Sequence, residues 1–125
     1  MNDIINRYIG EWGIKQRKSD GYINGDSLAR SGNKDFEDFL ALQKTQRYLT
    51  ELSSYIMKEK GNLIQGDWVH PEIALVLAYW LSPKHTVIVF EWVRQWLLDD
   101  YSETEELSDF NKALKQALNF NPKEN

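Results

Sequence analysis

Two histidines and a scatter of bases are the side chains in this sequence with chemistry to offer. His70 and Glu72 have the spacing of an acid–base pair, and His85 is the second of the two imidazoles. Neither sits among carboxylates at a spacing that makes a metal site. His70 directly precedes Pro71, and Pro fits the first position of a helix, where its missing N–H costs nothing. His70 is therefore expected to cap or pack rather than to transfer protons. The chain has no Cys, which excludes disulfides, thiolate zinc sites and a cysteine nucleophile. No Gly-x-Ser-x-Gly motif and no phosphate-binding Gly-rich loop occurs. The sequence thus predicts no catalytic residue, no metal and no cofactor; the protein is not expected to be an enzyme.

The bases carry a more informative pattern. Residues 1–60 hold ten Lys/Arg against nine Asp/Glu, whereas residues 61–125 hold five against ten. The formal net charge is -4, so the surface as a whole repels nucleic acid. Polyanion binding depends on local charge, however, and the bases gather in the first half. Seven of those ten fall in three groups: Lys15, Arg17 and Lys18; Lys44 and Arg47; Lys58 and Lys60. Arg and Gln can pair with base edges, whereas Lys mainly supplies charge to phosphate.

The elements that must position these groups follow from periodicity and turn residues. Ile4–Gly10 is ambiguous between strand and helix. Trp12–Arg17 alternates as a strand, Asp20-Gly21 supplies a tight turn, and Gly21–Asn24 returns, predicting a hairpin over 12–24. Asn24 or Asp26 can cap a short helix ending at Gly32-Asn33, and Asp35 can cap the next, with Phe36, Phe39, Leu40 and Leu42 inward. Thr45 can start a third, with Tyr48, Leu49 and Leu52 at helical spacing. These two helices about a Lys44-Thr45 break have the dimensions of a helix-turn-helix, and the same spacing fits one longer, kinked helix. Gly61-Asn62 is turn chemistry between Tyr55–Lys58 and Leu63–Gly66, which predicts a second hairpin. The apolar run Ile73–Leu81 predicts a buried helix from Pro71, with Trp80 in the core. Ser82-Pro83 opens another helix carrying Val89, Val93, Trp96 and Leu97.

A length of 125 residues suits one domain. The domain is expected over 1–98, with 99–125 an acidic linker and a C-terminal amphipathic helix marked by Leu107, Phe110, Leu114 and Leu118. Six acids and no base fall between Asp99 and Asp109. The nine-residue run Ile73–Leu81 is too short to span a bilayer, and no signal peptide opens the chain. A cytoplasmic protein, nucleoid-associated if it binds DNA, is the expectation.

A helix pair beside a basic hairpin is the arrangement with which winged helices hold DNA. On this reading the helix offers Lys44, Gln46 and Arg47, and the wing Lys58, Lys60, Asn62 and Gln65. Three segments carry a family resemblance: Asp20-Gly21-Tyr22-Ile23-Asn24, Gln65-Gly66-Asp67-Trp68-Val69-His70-Pro71-Glu72-Ile73-Ala74 and Leu77-Ala78-Tyr79-Trp80-Leu81-Ser82-Pro83. With Phe90, Trp92, Val93 and Trp96, they resemble the KilA-N domain over roughly residues 7–98. That domain occurs in phages, bacteria and large DNA viruses and is similar to the APSES domain of fungal transcription factors.

The resemblance implies an α+β, winged-helix-like fold with two short β-hairpins, a helix pair, a buried central helix and C-terminal helices. It implies double-stranded DNA as partner and a transcriptional regulator of phage, prophage or plasmid origin. Carried over by position, the DNA face comprises Lys44, Thr45 and Arg47 on the helix pair and Lys58, Lys60, Gly61, Asn62 and Gln65 about the wing. Gln65 stands in a Gln-Gly-x-Trp motif whose glutamine lies on the fungal wing. Lys15, Arg17 and Lys18 are candidates for phosphate contact. Where the family commonly has Asn-Ala-Thr and Gly-Thr-Trp, this chain has Asn24-Gly25-Asp26 and Gly66-Asp67-Trp68, two added acids. The alternative is an interaction module that keeps the scaffold without DNA binding, its acidic segment and last helix engaging a protein partner or a second copy.

Overall fold

The computed structural model describes residues 3–101. Ile4–Gly10, open on periodicity alone, is a strand: β1 (Ile4–Ile9) turns at Gly10-Glu11 into β2 (Trp12–Arg17). β2 alternates, with Ile14 and Gln16 buried and Lys15 exposed between them. Gln16 is a polar side chain in the core, and both ends are satisfied. Its Oε1 accepts from Arg7 Nε at 2.9 Å, and its Nε2 donates to the Gly21 carbonyl at 3.1 Å. The expected 12–24 hairpin forms: β3 (Ile23–Asn24) returns antiparallel, with Gln16 opposite Ile23.

A second hairpin exists but not where turn chemistry put it. Tyr55 and Ile56 belong to a helix, and Lys60–Asn62 forms one 3-10 turn, so Gly61-Asn62 does not join two strands. The hairpin is β4 (Ile64–Gln65) with β5 (Trp68–Val69), turned at Gly66-Asp67. Gly66 takes a φ of +65°, which a two-residue hairpin turn requires and which a side chain resists. β5 also pairs with β3, completing an antiparallel sheet of order β1-β2-β3-β5-β4. β3 thereby joins the first hairpin to the second.

α1 (Gly25–Ser31) is capped by Asn24, whose Oδ1 accepts from Ser27 N at 2.9 Å. α2 (Phe36–Ala41) follows Asp35, whose side chain makes no capping bond. The break between α2 and α3 (Gln43–Ile56) falls at Leu42, extended at ψ 136°, and not at Lys44-Thr45. Starting α3 at Gln43 turns Thr45, Leu49 and Leu52 toward the core on one stripe. Leu42, expected inward, is exposed.

α4 (Pro71–Leu81) buries Pro71, Ile73, Ala74, Leu77 and Ala78. Its apolar run is not buried all round: Tyr79 is 73% exposed. Trp80 is only half-buried, against the Phe39 ring at 5.7 Å and beneath Lys34 Nζ at 4.3 Å. The expectation of a core Trp80 is corrected accordingly. α5 (Pro83–Tyr101) adds Val89, Trp92 and Val93 to the core, which also takes Ile9, Ile14, Ile23 and Val69 from the sheet. α5 continues past Leu98 to Tyr101; the remainder of the 99–125 segment, with its expected amphipathic helix, lies outside the described residues. No described helix is long and apolar enough to cross a membrane. The fold is α+β.

Candidate nucleic-acid interface

Four of the candidate residues meet around one buried ring. Tyr22 follows the Asp20-Gly21 turn and is 2% exposed. Its hydroxyl donates to the Asn62 carbonyl at 2.7 Å, fastening the 3-10 turn to the first hairpin. Gln65 Nε2 donates to the same carbonyl at 3.3 Å. Lys58 Nζ lies 3.5 Å from the Tyr22 hydroxyl and 5.8 Å from its ring centroid. The Arg17 guanidinium stands over the Tyr22 ring at 4.8 Å and the Trp68 ring at 5.2 Å.

Arg17 is also held in its own turn. Its Nε and terminal nitrogen donate to the two Asp20 carboxylate oxygens at 3.1 and 2.6 Å. Asp20 Oδ1 in turn accepts from Tyr22 N at 3.1 Å, closing the turn. The remaining reach of Arg17 goes to Gln65 Oε1 at 3.1 Å. Planar, multiply bonded Arg fits this role as Lys would not.

Lys58 is fixed through its backbone. Met57 ends α3 in the left-handed region at φ 57°, Lys58 N donates to Ser53 O at 3.0 Å, and Ser53 Oγ donates back to Lys58 O at 2.5 Å. Lys60 and Gly61 are exposed two and three residues on. Lys15 shares the outward face of β2 with Arg17, roughly 7 Å away along the strand. Lys18 is exposed in the turn, where its carbonyl accepts from Trp96 Nε1 at 2.7 Å.

Lys44 and Arg47 are exposed on α3. Arg47 sits about 14 Å along the axis from the end of α3, and lines a shallow depression with Gln43, Gln46, Thr50 and Glu51. No described contact ties it to the Tyr22 group. Thr45 faces the other way, at 1% exposure. It cannot contact a ligand, which corrects its inclusion in the face.

Four participants are not among the residues that the sequence nominates for this site: Tyr22 itself, Asp20, Trp68 and His70. His70 caps α4, its Nδ1 accepting from Glu72 N at 3.1 Å, and its ring meets Tyr22 edge-on at 5.6 Å. Burial pushes its pKa down to about 4, with the Lys58 charge adding to the effect and Asp20 opposing it. The cap needs a lone pair on Nδ1, so the neutral ring is the one that fits. Among the described residues no three His, Asp or Glu side chains gather as metal ligands would.

The arrangement offers cations and hydrogen-bonding amides at a hairpin stem, with an exposed helix nearby. Comparison with known proteins bears on its origin. Two KilA-N domain-containing proteins of Acanthamoeba polyphaga mimivirus align with nearly the whole chain. One is 26% identical over 99% of this chain and 40% of its own length; the other is 22% identical over 92% and 27%. The chain thus spans less than half the length of either relative. No solved structure matches significantly. The KilA-N domain pattern itself matches residues 5–99, which takes in every strand of the sheet but the first residue of β1 and reaches nearly to the end of α5. On that match the chain belongs to the KilA-N domain family.

Proposed function

We propose that this chain binds duplex DNA and acts as a regulator of transcription. The β4–β5 hairpin and the segment before it serve as wing, and the α2–α3 pair as the helical part of the contact. The observation that carries the reading is that Arg17 and Lys58 converge on Tyr22 while Gln65 is bound to Arg17 and to the Asn62 carbonyl that the Tyr22 hydroxyl holds. It sets two cations and one amide at a rigid hairpin stem, with Lys60 exposed beside them.

On this reading Lys58 and Lys60 meet phosphate, Lys44 and Arg47 do the same or reach base edges from α3, and Gln65 reads a base through its amide. Lys15 and Lys18 extend the cationic strip. Affinity is local and electrostatic, since the net charge of -4 opposes approach elsewhere. Family membership supports the reading, the domain being associated with DNA binding in general.

A gel-shift titration of the whole chain on generic duplex DNA across a salt series tests it. Binding that weakens linearly in log salt is expected. Absence of binding at low salt would overturn the proposal.

A further inference from the structure

We propose that the groove between α3 and α4 docks a cationic amphipathic helix of a protein partner. The groove encloses about 320 Å³, near the lower end of the roughly 300–1,000 Å³ usual for binding pockets. Its floor is Leu52 with Ile73 and Val76. Tyr48 and Tyr55 stand on the α3 side, 45% and 88% exposed. They are seven residues apart, two turns on one face, roughly 10 Å. The fold gains little from two tyrosines left in water, whereas rigid rings beside an apolar floor are common in interfaces.

The rims carry the charge that selects the occupant. Glu51 on α3 and Glu72 on α4 line the groove, and no Lys or Arg does. Neither carboxylate has an ion-pair partner among the described residues. The nearest base on α3, Arg47, stands one turn before Glu51 and outside the groove. Two unpaired acids about an apolar floor complement an apolar side chain flanked by Lys or Arg. They repel phosphate. The groove adjoins the α3 face proposed for DNA, sharing Glu51 with the Arg47 depression, but the opposite charge selects its occupant, whether or not the chain binds DNA.

The occupant is a helix because of its backbone. Helices α3 and α4 satisfy their own N–H and C=O groups and present no strand edge. An extended segment laid between them would find no backbone partner on the protein and would lose water wherever it is covered, whereas a helix brings its bonds with it. A groove two turns long takes apolar anchors at i and i+3 or i+4.

The probe is a fluorescently labelled Leu/Lys amphipathic peptide of roughly 18 residues, long enough to be helical, with its Leu/Glu counterpart. Polarisation with the full chain is expected to show saturable binding of the Leu/Lys peptide alone. Glu51→Lys with Glu72→Lys is expected to weaken it about tenfold or more and to admit the Leu/Glu peptide. Tyr55→Ala weakens it with charge unchanged. Glu11→Lys with Glu37→Lys changes net charge equally, outside the groove, and leaves binding within about twofold. If circular dichroism shows the reversed variant unfolded, Glu51→Gln with Glu72→Gln replaces it, with the same direction expected. No saturable binding of the Leu/Lys peptide overturns the proposal, and so does an equal loss in the distal control.

Discussion

Arg17 donates to Gln65 Oε1 across 3.1 Å and 48 residues of chain, joining the outer face of β2 to the stem of the β4–β5 hairpin. The same guanidinium is bound by Asp20 and stacked on two rings, so it acts first as a holder and only then as a charge. Gln65→Ala removes two exposed hydrogen bonds, to Arg17 and to the Asn62 carbonyl, and is expected to cost about 1 kcal/mol. Its effect on DNA is expected to vary among duplex sequences, because an amide that reads a base edge discriminates. Arg17→Ala loses the ion pair and both ring contacts, about 1–2 kcal/mol by denaturation, and reproduces part of the same sequence pattern by releasing Gln65. Uniform loss across sequences for Gln65→Ala would remove it from base reading.

Lys58 and Lys60 differ from Gln65 in what they can report. Phosphate contacts carry no sequence information, so Lys58→Ala with Lys60→Ala is expected to weaken all duplexes alike. The slope of log affinity against log salt is expected to fall by roughly 0.9 for each lost contact. A double variant with wild-type affinity and slope would take this segment out of the interface.

The parts of the fold legible in the sequence are those set by adjacent residues. Asp20-Gly21 announces the return of β3, and His70-Pro71 before an apolar run announces α4. The second hairpin is not legible in the same way, because Gly61-Asn62 suits a 3-10 turn as well as a hairpin turn. Tyr55 and Ile56 are strand formers by type, yet Ile56 completes the α3 stripe begun at Leu49 and Leu52, and burial of that stripe outweighs propensity. Thr45 illustrates the same dependence on register: a helix starting two residues earlier turns its hydroxyl inward. Candidate cations could be named singly from their types. Their assembly about Tyr22 could not, since it depends on β3 lying between β2 and β5.

Gly21 is required twice over. Its φ is +78°, and a Cβ there would lie 2.8 Å from the Trp96 ring. That ring cannot swing away freely, because its Nε1 donates to Lys18 O. Gly21→Ala is expected to cost about 2–4 kcal/mol, backbone strain and overpacking together. Combining it with Trp96→Ala is expected to cost less than the sum of the two singles, since the clash is then gone. Strict additivity in urea denaturation would show that the backbone alone makes the demand.

His70 gives the protein a pH dependence whose sign is fixed. Its pKa is about 4 when folded, down from 6.5. The unfolded chain therefore binds more protons between those values, and stability falls as pH drops through that window. Above about pH 6.5 the contribution is fully present; below about pH 4 both states are protonated and nothing further is lost. The desolvated ring resists charge, and protonated Nδ1 can no longer accept from Glu72 N. His70→Asn keeps a side-chain acceptor at the helix cap and removes the titration. Urea denaturation of both proteins between about pH 7 and pH 4 is expected to show the steeper decline in the wild type, the difference cancelling the carboxylates common to both. Lys58→Ala removes the charge that helps depress the pKa and is expected to make the wild-type decline shallower. Parallel curves for the wild type and His70→Asn would mean that the imidazole titrates alike in the folded and unfolded chain.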